Sequence, residues 1–166
     1  MPSKTATQFN PIAIPDNNLI GVITVAQNFS MPAGAVITGV IVTVDITHTF
    51  DGDLDITLQS PANQVVELST DNGGGGDNYT FTTFADGALD TINGNPNAPF
   101  NGFFRPEQPL SIFNSAVNVG SGWLLRVVDD TIGDTGTLNF WSLTVNFIVG
   151  EGTILSETLE GTSETD

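Results

Sequence analysis

The strongest constraint on this chain is the run from Val36 to Ile46. Val36, Val40, Val42, Val44 and Ile46 share one parity, with Thr43 and Asp45 in the gaps. A period of two in β-branched residues is that of a strand with one buried face. The pattern returns at Leu54, Ile56 and Leu58, and again between Leu138 and Val149. Weaker strands are expected at 22–29, 65–68, 79–84 and 123–128. Met31 to Gly34, Asp51-Gly52, Ser60-Pro61 with Ala62-Asn63, and the DNGGGGDN run at 71–78 supply the turns. Residues 11–18 carry two prolines and read as an extended approach followed by a turn. Residues 86–113 read as a long ordered excursion pinned by Phe100, Phe103, Phe104 and Phe113. Nothing has helical periodicity. Many short strands separated by Gly/Pro turns predict an all-β sandwich or jelly roll.

Composition supports a packed domain. Hydrophobic residues make up 39% of 166, with eleven phenylalanines, enough for one core. Charge is one-sided: nineteen acidic residues face only Lys4, Arg105 and Arg126, for a formal charge of -16. Nucleic acid, whose phosphates need Lys and Arg, is excluded as a partner, and so is an anionic membrane surface. No stretch is long enough to insert into a bilayer. Divalent cations are the natural counterions, although acid also serves solubility alone. Without cysteine, disulfides and thiolate metal sites are excluded. The expected organisation is an N-terminal extension at 1–10, a sandwich at 11–149, and an acidic tail at 150–166 that is either a linker or a donated strand.

Two ordered blocks carry a resemblance. ITHTFDGDLDITLQSP at 46–61 and GSGWLLRVVDDTIGDTGTLNFWSLTV at 120–145 resemble the signature of the P-domain of proprotein convertases. Ile14-Pro15-Asp16-Asn17 and PEQPLSIF at 106–113 are similar to its bacterial branch. The resemblance implies a jelly-roll β-sandwich of the galactose-binding-like kind. It also implies an extracellular or cell-surface accessory module that follows a subtilisin-like catalytic domain and supports its stability and calcium dependence. The partner would be that catalytic domain or copies of the chain itself.

The chemistry is sparse. His48 is the only histidine, no Gly-x-Ser-x-Gly elbow exists, and Ser121 lies between glycines in a turn. Catalysis is not expected, and zinc is a poor fit. The resemblance makes His48 structural. The GGGG run lacks the lysine and helix of a phosphate loop. Trp123 and Trp141 fall in core-type strands rather than on a sugar platform.

Calcium is the sharper expectation. Asp51, Asp53 and Asp55 alternate in DGDLD, which on an extended strand places three carboxylates on one face. Asp71, Asp77, Asn78 and Asp86 flank the glycine-rich loop, and Asp129, Asp130 and Asp134 form a second cluster. Calcium takes six to eight such oxygens. Ile56 and Ala62 exclude an EF-hand, and Asx-turns are the competing account of these residues. Three roles stay open: protease accessory domain, self-assembling structural subunit using calcium and terminal strand exchange, and adhesive module for glycans or proteins.

Overall fold

The computed structural model describes residues 1–116 and 120–150. Among them the order is β1 (Ser3–Gln8), β2 (Ile12–Ile14), β3 (Asn18–Val25), β4 (Ala35–His48), β5 (Leu54–Gln59), β6 (Val65–Thr70), β7 (Tyr79–Phe84), β8 (Asp90–Thr91), β9 (Phe100–Arg105), β10 (Leu124–Asp129) and β11 (Gly136–Val149). Short 3-10 turns cover Asp51–Asp53 and Leu110–Phe113. The larger sheet runs β1-β11-β4-β7-β9-β8, with β2 also pairing β11, and the smaller runs β3-β10-β5-β6. Pairing is antiparallel except that β9 lies parallel to both β7 and β8. This is the expected two-sheet sandwich.

The core follows from alternation. Val40, Val42, Val44 and Ile46 of β4 face Leu143, Val145 and Trp141 of β11, and Leu54, Ile56 and Leu58 of β5 meet them from the other sheet. Trp123 and Trp141 are 0% and 1% exposed, which places both in the core. Phe113 packs edge-on against Trp123 at 5.0 Å.

Four expectations change. Val36 is not on the inward face: β11 skips from Asn146↔Gly39 to Phe147↔Ile37, so Thr38 is bulged and Ala35 and Ile37 point in instead. Residues 1–10 are not wholly outside the sandwich, because Ser3–Gln8 pairs along Trp141 to Asn146. The 86–113 segment contains β8 and β9, and Ile92, Phe100, Leu110 and Phe113 anchor it, whereas Phe103 is exposed. Asp51 to Asp53 is a 3-10 turn, not a strand, so Asp51, Asp53 and Asp55 do not share one extended face. The acidic tail beyond Gly150 lies outside the described residues.

Candidate metal centre

Strand pairing assembles an acidic pole. Asp55 opposes Thr70 of β6 and Val128 of β10. The residues just past those strands, Asp71 and Asp130, are thereby carried to either side of Asp55. Asp71 donates its backbone N–H to Leu54 O (3.2 Å) and Asp130 to Asp53 O (3.1 Å). Asp71 takes a left-handed conformation, φ 55°, which Asp tolerates better than most residues. One oxygen from each of Asp55, Asp71 and Asp130 lies within 4.8 Å of the others.

These charges are held together at a cost. Burial, and then the charges of Asp71, Asp130, Glu67 and Glu107, push the Asp55 carboxyl up to about 6. Asp71 is raised by burial and by Asp130 and Glu107. Asp55 Oδ1 is buried and has no hydrogen-bond partner, although buried polar atoms are normally satisfied. A hard cation among all-oxygen donors would meet both conditions, giving the orphaned oxygen a partner and offsetting the like charge.

The other predicted residues separate. Asp51 is fully buried beneath the glycine loop. Its Oδ1 accepts from Asn78 N–H at 2.9 Å, and Oδ2 has no partner. Burial raises its carboxyl to about 7, with the Asn78 N–H opposing and exposed Asp77 adding to the rise. The loop is glycine because it lies against this turn: a Cβ on Gly73 would come 2.8 Å from Asp51 Cβ. Asp51 and Gly52 N–H groups donate to Gly76 O and Gly74 O. Asn78 Oδ1 accepts from His48 N–H at 3.0 Å.

His48 and Asp129 are both buried, with Nε2 to Oδ2 at 3.1 Å. His48 Nδ1 faces Phe50. Both ring nitrogens therefore point at protein groups that supply no nucleophile. Asp53 is raised by burial, then by Asp129 and Asp134, and so belongs with this pair. Asp134 accepts from Thr49 Oγ1, tying down the hairpin turn. Asp86 is elsewhere: its two oxygens accept from Leu110 and Ser111 N–H, both at 2.8 Å, capping a 3-10 turn. The DGDLD triad and the Asp129 cluster thus exchange members. Asp130 joins Asp55, while Asp53 joins Asp129 and Asp134. Glu67 and Glu107 on the rim were not anticipated. Glu107 Oε1 accepts from Thr70 N–H (2.8 Å) and Asn72 Nδ2 (2.6 Å).

A two-sheet β-sandwich with carboxylates concentrated where β5, β6 and β10 meet is the class that the fold and site define. The chain belongs to the proprotein convertase P-domain family, whose profile matches residues 37–145. The fold is similar to that in the crystal structure of the serine protease of Aeromonas sobria, at 18% identity and TM-score 0.50, covering 87% of this chain and 27% of that one. The crystal structure of the same protease in complex with the chaperone ORF2 gives 20% identity, TM-score 0.50 and the same coverages. At these identities the likeness is one of fold. The chain spans about a quarter of those proteases' length. No curated protein matches it.

Proposed function

We infer that this P-domain is a non-catalytic, calcium-stabilised accessory module of an extracellular subtilisin-like serine protease. The observation that carries the calcium reading is the convergence of Asp55, Asp71 and Asp130 around an Asp55 oxygen that no protein group satisfies. Backbone pairing holds the three residues side by side at one end of the smaller sheet. Asp55, Asp71 and Asp130 would hold the ion. Its role would be electrostatic, locking β5, β6 and β10 at one pole of the sandwich. The protease association rests on family membership and on the likeness to part of a serine protease chain. The partner on this reading is the catalytic domain.

Melting the chain in EDTA and in millimolar calcium tests the reading. Binding to the folded state at a hundredfold excess over Kd adds about 2.7 kcal/mol. For this size that is a rise of roughly 5–10 °C. Asp55→Asn should leave the metal-free form at least as stable and remove most of the rise. Superimposable curves with and without calcium would sink the proposal.

A further inference from the structure

A second site lies on the opposite edge of β11 from β4. Both β1 and β2 pair with β11, but between Gln8↔Trp141 and Ile12↔Leu138 the ladder is broken. Phe9, Asn10 and Pro11 stand opposite Asn139 and Phe140, three residues against two, and Pro11 has no N–H to donate. The gap opens a cavity of about 250 Å³. Ile12, Leu138 and Phe140 line it with Gln8, Asn10, Thr24 and Gln27, and the edge of Trp141, itself 1% exposed, lies beneath with its indole N–H donating to Thr24 Oγ1 at 3.4 Å. Phe140 is braced from outside by Phe9 at 5.0 Å and Phe81 at 5.7 Å.

We propose that this cavity binds one ring of a neutral carbohydrate, through the Gln8, Asn10 and Gln27 amides and the apolar surface of Phe140 and Ile12. Three features select that class. No charged side chain lines the cavity, although the chain carries nineteen acidic residues; a cationic ligand would find its countercharge elsewhere, and an anion would be repelled by the whole molecule. Each carboxamide offers both a donor and an acceptor, which vicinal hydroxyls require. Gln8 Nε2 donates to Val25 O at 2.8 Å, which fixes that side chain across the two sheets. Asn10 and Gln27 are exposed, which leaves their amides open to a ligand from solvent. The aromatic and aliphatic wall suits the C–H face of a sugar. The volume lies below the roughly 300–1,000 Å³ of pockets for drug-sized ligands, so it fits one ring, with the exposed Phe9 and Phe81 left for its neighbours. The site shares no residue with the acidic pole and does not depend on calcium.

The test is nitrogen-15 NMR of the whole chain titrated with methyl glycosides of glucose, galactose, mannose and N-acetylglucosamine, and with glucuronate. The expected result is saturable shifting of the Gln8, Asn10 and Gln27 side-chain amides by at least one neutral glycoside, with glucuronate weaker. Asn10→Ala and Gln27→Ala should each weaken binding about tenfold, the loss of one hydrogen bond, without moving the melting temperature. If no sugar shifts these resonances up to its solubility limit, or if binding persists unchanged in both variants, the proposal is overturned. It is equally overturned if a short apolar peptide shifts them and no sugar does.

Discussion

At the residue scale, the buried carboxylates are a store of unfavourable charge. Asp51 and Asp55 ordinarily titrate near 3.8 and are raised in the fold to about 7 and about 6. Each binds its proton more tightly folded than unfolded, so each favours folding while protonated. That contribution is complete below about pH 4 and is lost as pH rises through 6 and then 7. In EDTA the melting temperature should therefore fall between pH 4 and pH 7.5, and a differential-scanning series across that range would show it. Asp51→Asn keeps an acceptor for Asn78 N–H and should flatten the upper part of the profile. A flat profile in the parent chain would contradict the burial of these groups. A steric prediction belongs at the same scale. A Cβ on Gly136 would come 2.4 Å from the His48 ring and 2.5 Å from Thr47 O, so Gly136→Ala should cost about 1–3 kcal/mol or more by chemical denaturation.

At the element scale, the two long strands β4 and β11 are the spine, paired over their whole length. The first strand is an edge neighbour of β11. It pairs with β11 alone and buries only Ala6. Lys4 on this strand is a charge that discourages edge-to-edge pairing. Deleting residues 1–8 should leave a folded sandwich with a lower melting temperature and an open β11 edge. Size-exclusion chromatography should then show association that rises with concentration. A deletion variant that fails to fold would mean that β1 belongs to the core of the domain. The β6 edge of the smaller sheet is differently protected. The outer side of β6 is covered by the Glu107 and Gln108 backbone N–H groups, which donate to Leu68 O and Glu67 O.

At the scale of the whole molecule, the described sandwich closes its core by Val149. Removing residues 150–166 should therefore change neither melting temperature nor size by light scattering. Assembly that disappears with the cut would instead identify a donated strand. The whole chain should not cleave casein or a peptide panel above buffer, because its single histidine is buried against Asp129 and Phe50. Activity abolished by Ser121→Ala would reverse that reading.

Much of this was legible in the residues. Alternation at 40–46, 54–58 and 138–149 determines strands whatever their neighbours, because a period of two has only one way to bury a face. The two blocks around DGDLD and the closing hairpin determine the family. Acidic residues at strand ends indicate where carboxylates concentrate. Which carboxylates meet was not legible, because it depends on lateral order: only the sequence β6-β5-β10 brings Asp71 and Asp130 to Asp55. The 3-10 turn at Asp51 also breaks an alternation that the residue types alone support. Bulges at Thr38, Asn139 and Phe81 shift side chains between faces, and their positions are set by partner strands far away in the chain. The cavity beside Trp141 has no sequence signal at all. It arises because two strands share one partner and fail to meet in register, which only tertiary pairing decides.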